Sequence, residues 1–195
     1  DTLYPTREKV LINGYVINGR PMLGAPLSHH NCVTTLSFPY SDRVKSMPFD
    51  RQCTVHRGAT FVQSDEEHVR MVLTALASRN RTLIQTLPTL EAKKQAFAQM
   101  MRGGDTRYTY IVSYVGQWKL RALGAYIREF WTHVPQANSL LTEISAVNGK
   151  IFLTIHQSLG DDRVIREFLS ELDREGIPHE VCKRMKNDVA RFLQP

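Results

Sequence analysis

The chain is expected to be α/β, a two-layer sandwich with a mostly antiparallel mixed sheet and flanking helices. Three observations lead there. Runs rich in β-branched and aromatic residues, NCVTTLSFP (31–39) and RYTYIVSYVG (107–116), have strand composition. Between and after such runs, apolar residues fall at helical spacing, as in Val69, Val72, Leu73 and Leu76. Near the end, Asn148-Gly149 joins two further strand-like runs, and both residues tolerate the positive φ angles of a type I′ hairpin.

Each element has its own local reason. Up to residue 27 apolar clusters alternate with Gly and Pro (NGYVINGRPMLGAP), which predicts turns and extended pieces and no long helix. NCVTTLSFP then predicts a strand stopped by Pro39, and CTVHRGATFV (53–62) a second extended piece. Ser64-Asp65-Glu66-Glu67 has the form of a capping box, with the Ser64 hydroxyl accepting from the Glu67 N–H, so a helix is expected over about 65–80. Pro88 opens another helix, TLEAKKQAFAQMM, closed by Gly103-Gly104. The strand of 107–116 follows, then a helix over LRALGAYIREFW weakened by Gly124, then the hairpin SLLTEISAV-NG-KIFLTIHQ. Asp161-Asp162 cap a helix whose Val164, Ile165, Phe168, Leu169 and Leu172 share a face. Gly176 ends it, and Pro178 starts a last amphipathic helix through Phe192.

At 195 residues the chain can bury one sizeable core, and it has no repeat, linker or low-complexity segment, so a single α/β domain over 1–195 is expected. Asp at position 1, where a start would be Met, suggests a fragment or processed product. No apolar run approaches the roughly 20 residues needed to cross a bilayer, and the first residues lack a secretory pattern. Cys32, Cys53 and Cys182 have no paired spacing and read as free thiols of a reducing compartment, which points to the cytoplasm. The net charge of +6 comes from 25 Lys and Arg scattered among 19 acids, which describes a solvated basic surface better than a nucleic-acid footprint.

Several of these stretches carry a resemblance. The strand ending Ser113-Tyr114-Val115-Gly116, the Asn148-Gly149 hairpin and the helix VIREFLSEL are similar to the C-terminal half of the chloramphenicol-acetyltransferase-like superfamily. That group includes alcohol O-acyltransferases and the condensation domains of nonribosomal peptide synthetases. Upstream, Gly19-Arg20-Pro21-Met22-Leu23 and Asn31 resemble the segment that crosses between the family's two lobes. The resemblance implies a lobe lining an acyl-thioester tunnel, with coenzyme A or a phosphopantetheine thioester as substrate and no tightly bound cofactor. Its partner would be an N-terminal lobe, continuous or on another chain. Arg20, Tyr114, Gly116 and Gln157 would meet substrate, and Ser113 would help hold the tetrahedral intermediate; Ser113 is equally explained as a small polar residue where the strand bends.

The family's general base sits in a His-His-x-x-x-Asp-Gly signature. His29-His30 supplies the pair, but Thr34 and Thr35 stand in the Asp and Gly positions and the segment lies too late in the pattern, so these histidines read as loop residues. His156-Gln-Ser-Leu-Gly-Asp161 resembles the signature with one residue inserted, which makes His156 a second candidate base, although the insertion misplaces the carboxylate. The implied lobe therefore lacks the base and would be inactive alone. The runner-up is a noncatalytic protein-interaction domain of the same fold, followed by a nucleic-acid-binding domain. An exposed apolar face on the sheet of 107–116 would favour the lobe.

Two rival constellations are weaker. His30-x-Cys32 with Cys53-x-x-His56 offers a tetrahedral zinc set if both halves lie on adjacent strands, but a strand-borne Cys-x-x-His points its ends to opposite faces, so no metal is expected. The tyrosines of RYTYIVSY could stack on nucleobases, yet alternating tyrosines are more simply half-buried sheet residues, and a nucleic-acid partner is not expected.

Overall fold

Strand β1 (Leu11–Asn18) pairs antiparallel with β2 (Val33–Tyr40), Leu11 opposite Tyr40 and Asn18 opposite Val33. The structure is a computed structural model that describes residues 10–29, 32–102, 108–117, 121–133, 140–157 and 161–182. On its other side β1 runs parallel to β3 (Tyr110–Gln117), and β3 runs parallel to β4 (Leu140–Val147). β4 then turns through Asn148 (φ 50°) and Gly149 (φ 75°) into antiparallel β5 (Lys150–Gln157). The positive φ at both turn residues is the type I′ geometry expected of Asn-Gly. The sheet order is β2-β1-β3-β4-β5, a mixed sheet flanked by helices. Two of its four pairings are parallel, β1 with β3 and β3 with β4, and neither parallel pair is joined by a tight turn: β2 and four helices lie between β1 and β3, and a 3-10 turn between β3 and β4.

That excursion holds α1 (Asp42–Lys45), α2 (Phe49–Gln63), α3 (Glu66–Thr86) and α4 (Leu90–Arg102). The expected extended piece at 53–62 is therefore wrong: it lies inside α2. Pro48 and Asp50 suit a helix start, and the Thr54 and Thr60 hydroxyls donate to the carbonyls of Asp50 (2.9 Å) and His56 (2.8 Å), four residues back. These back-bonds give the two hydroxyls partners within the helix. The capping residue also moves by one. Asp65, not Ser64, caps α3, accepting from Glu67 N (3.1 Å) and His68 N (3.2 Å), while Ser64 ends α2. α3 runs further than its predicted end near residue 80.

Three other expectations are corrected or lie elsewhere. Pro39 does not stop β2, which continues to Tyr40; as an edge strand it tolerates a residue without an N–H. LRALGAYIREFW is not an α-helix: Arg121–Tyr126 form a 3-10 turn and the chain runs irregularly to residue 133. Its carbonyls are engaged sideways, Gly124 and Ile127 each accepting from Asn148 Nδ2 (2.6 and 2.8 Å). Residues 177–182 are not helical, and the rest of the predicted last helix, like Gly103-Gly104, His30 and Asn31, lies outside the described residues.

Helix α5 (Arg163–Arg174) belongs to a second compact unit. Asp162 stands at its N-cap, and hydrogen bonds from the Arg163 side chain and backbone hold the Asp161 carboxyl below its usual range. Gly176 (φ 65°) ends it in a Schellman turn, with Ile177 N donating to Leu172 O at 2.8 Å.

The sheet has two faces, set by strand alternation. One carries Ile12, Gly14, Val16, Ile111, Leu141, Val147 and Phe152. There Tyr108, Ile111 and Leu141 form a buried cluster with Ile12 and Val16, and Trp131 meets Phe152 edge-on at 5.1 Å. Gly14 lets the ring of Tyr108 lie close: a Cβ there would stand 2.9 Å from that ring and 2.8 Å from Thr35 Cγ2. The opposite face carries Asn13, Tyr15, Phe38 and Tyr110 beneath α2, and continues through Tyr114, Ile144 and Leu153. Among the described residues no helix is long and apolar enough to cross a membrane.

Candidate functional site

The expected site residues do not gather in one place. Ser113 lies opposite Glu143 on the face of the Tyr108 cluster, while Tyr114, one residue on, points to the other face. Gly116 (φ 103°) follows a bulge: Tyr114 pairs with Ile144 and Gly116 with Ser145, which leaves Val115 without a register partner. Gln157 pairs with Leu140, at the end of the sheet opposite to Gly116. Arg20 lies in the turn after β1, where Nε donates to Ser28 O (2.8 Å) and Nη1 to Asn18 Oδ1 (3.1 Å). Those bonds pin the 20–28 loop, which Arg70 of α3 also grips through Met22 O at 3.0 Å.

Around the bulge the face of Tyr114 is open. Tyr114 is 59% exposed and Ile151, on the same face of β5, is 70% exposed, although both sit on a sheet whose other face is buried. Ile144 and Leu153 lie between them, half-buried.

His156 has a partner the sequence did not single out. Glu143, 1% exposed, places its Oε2 3.2 Å from His156 Nε2, and the ring of His133 stands 4.7 Å from that of His156. The alternation of β4 explains the placement, since Leu141, Glu143, Ser145 and Val147 all face inward. Ser145 is satisfied in turn, its hydroxyl donating to Phe130 O at 2.6 Å. A buried carboxylate is tolerable when it is paired, and Glu143 is paired with an imidazole. The pair belongs to the enclosed face and stands apart from the open surface at Tyr114. The signal for Glu143 was in TEISAV, where a Glu alternates with residues of the apolar face.

Of the tyrosines of RYTYIVSY, Tyr110 and Tyr114 lie on β3, Tyr114 being exposed and not half-buried, whereas Tyr108 precedes the strand. Tyr108 is buried, and Tyr110 donates its hydroxyl to Tyr15 across the β1–β3 pair. Burial first, and then Tyr15, push the Tyr110 phenol far above its ordinary value of 10.0; burial raises Tyr15 as well, against the bond it accepts. A folded pKa above the unfolded one stabilises the fold fully below pH about 10 and is lost as pH climbs towards the folded value. Two tyrosines are therefore expected to resist ionisation in an alkaline titration followed at 295 nm, releasing their protons only as the fold is lost. Tyr15→Phe should remove one of the late-titrating groups.

Of the zinc set, His30 lies outside the described residues. Cys53 and His56 lie one turn apart on α2 and not on a strand, and among the described residues no group of three or more His, Cys, Asp or Glu is placed to hold a metal ion. His29 is in the loop before β2, consistent with a loop role, and its neighbour His30 lies outside the described residues. No family model matches the chain, and neither a curated protein nor a solved structure matches it.

Proposed function

We propose that the chain is a lobe of a coenzyme A- or carrier-dependent acyltransferase, and that the open face at the β3 bulge forms one wall of its acyl-thioester tunnel. The observation that carries this reading is the uncovered apolar surface from Tyr114 to Ile151, since a lobe separated from its mate exposes what the mate would cover. A companion lobe supplies the general-base histidine and the opposite wall. The base takes the proton of the acceptor as the acceptor attacks the thioester carbonyl. Collapse of the intermediate breaks the carbon–sulfur bond, and the departing thiolate takes up that proton.

The alternation of β3 shifts the role first given to Ser113. Its side chain faces Glu143, so a donor for the developing oxyanion is better sought in the backbone of the bulge, where Val115 has no ladder partner. Tyr114 and Gly116 keep their substrate-facing roles, and Arg20 stabilises the loop beyond β1. Cys32, Cys53 and Cys182 are free thiols, which fits a cytoplasmic, reducing setting.

The test is titration of the isotopically labelled chain with acetyl-pantetheine and with acetyl-coenzyme A, followed by amide chemical shifts. The largest changes are expected at Tyr114, Val115, Gly116 and Ile151, with Tyr114→Ala weakening binding about tenfold, as loss of a large apolar contact would. If millimolar thioester moves none of these amides, the tunnel reading falls. The runner-up, a noncatalytic protein-interaction domain using the same face, then takes its place.

A further inference from the structure

A second cavity lies on the sheet face of Asn13, under α2, and the proposed thioester wall does not use it. Its volume is about 430 Å³, within the roughly 300–1,000 Å³ of small-molecule sites. The floor is Asn13, Tyr15 and Tyr110; the wall is Tyr40, Cys53 and His56. Among the described residues of its lining none is an acid, a lysine or an arginine.

Two buried polar atoms of residues that line this cavity lack hydrogen-bond partners. Asn13 is 3% exposed, yet its buried Oδ1 has no hydrogen-bond partner; the buried Nδ1 of His56 has none either. A buried polar atom left unmade is costly, and both orphans belong to residues that line the same space. The other polar groups there are satisfied among themselves. Tyr40 donates to Gln52 Oε1 at 2.7 Å, Gln52 Nε2 donates to Met47 O at 2.9 Å, and Tyr110 donates to Tyr15. The aromatic rings are already ordered: His56 stands 6.2 Å from Tyr40 in a stacked arrangement and 5.5 Å from Phe38.

We infer that this cavity binds a small, flat, uncharged heteroaromatic molecule that donates an N–H to Asn13 Oδ1 and packs its ring among Tyr15, Tyr40 and His56. The aromatic lining provides stacking surface, the absence of charge disfavours an ion, and the two orphaned atoms supply orientation. Cys53, exposed and at the cavity wall, would be shielded when the ligand is seated.

Cys53 therefore gives the readout. The chain is treated with iodoacetamide in the presence of benzimidazole, its N-methyl analogue or benzoate, and alkylation of each cysteine is followed by peptide mass spectrometry. Exposed Cys182 serves as the internal reference. Benzimidazole at ten times its dissociation constant is expected to slow Cys53 about elevenfold and leave Cys182 unchanged. The N-methyl analogue keeps the ring and loses the donor, and should bind about tenfold more weakly; benzoate should give no protection. Phe49→Ala, at an exposed residue of the cavity rim, should weaken protection without unfolding the chain. Equal slowing of Cys53 and Cys182, equal protection by the N-methyl analogue, or no protection at millimolar benzimidazole would each overturn the assignment. None of these outcomes bears on the thioester titration, which reads the amides of the β3 bulge and of Ile151.

Discussion

His156→Leu is expected to destabilise the chain by about 1–3 kcal/mol, the usual cost of leaving a buried polar group without its hydrogen-bond partner. The reason is the partner it abandons. Glu143 is 1% exposed, and His156 Nε2 stands 3.2 Å from its Oε2. Leucine fills comparable space, so the loss measures the stranded carboxylate and not a cavity. The double change Glu143→Leu with His156→Leu should restore most of the stability, because replacing both polar partners by apolar groups is often neutral or better. Urea unfolding of the wild type, both single variants and the double variant closes the cycle. Losses that simply add would show that the two side chains are not coupled, and the reading of Glu143 as a paired buried carboxylate would be wrong.

A comparable effect is expected at Gly14, where Gly14→Ala should cost about 1–3 kcal/mol, typical of overpacking a filled core. On an ordinary strand the same change would be mildly favourable, since glycine carries extra chain entropy. Here the added methyl would meet Thr35 Cγ2 at 2.8 Å, the Tyr108 ring at 2.9 Å and Ile111 Cγ1 at 3.2 Å. Three neighbours on two strands and a loop would have to move together. Tyr108→Leu in the same chain should relieve part of the clash, so a smaller penalty for Gly14→Ala in that background is the accompanying expectation. A thermal unfolding midpoint unchanged by Gly14→Ala would show that the ring does not rest on the strand.

The hairpin of β4 and β5 was legible because its information is local: alternation on both arms and two residues suited to positive φ. The helix α2 was not, because CTVHRGATFV has the composition of a strand and its apolar residues fall on no single face. What suits a helix lies before it: Pro48 at the N-cap and Asp50 in the first turn. That one misreading hid the cavity. On a strand Cys53 and His56 face apart; on a helix they stand a turn apart on one side, both against Asn13, Tyr15 and Tyr110. Asn13 itself gave no warning, since an Asn before Gly14 looks like a turn. Ser113 shows the converse limit: residue type marked it, but strand alternation assigned its side chain to the face of Glu143.

The parallel pairing of β1 with β3 also sets an order of assembly. The two arms of the β4–β5 hairpin are separated by two residues, so they can meet on the microsecond scale of hairpin formation. The hydrogen bond from Ile12 N to Thr109 Oγ1 spans 97 residues, and everything from β2 through α4 must be collapsed before it can close. Such non-local pairings slow folding and come late. When the whole chain refolds, the β1–β3 seam is thus expected to close after the β4–β5 hairpin.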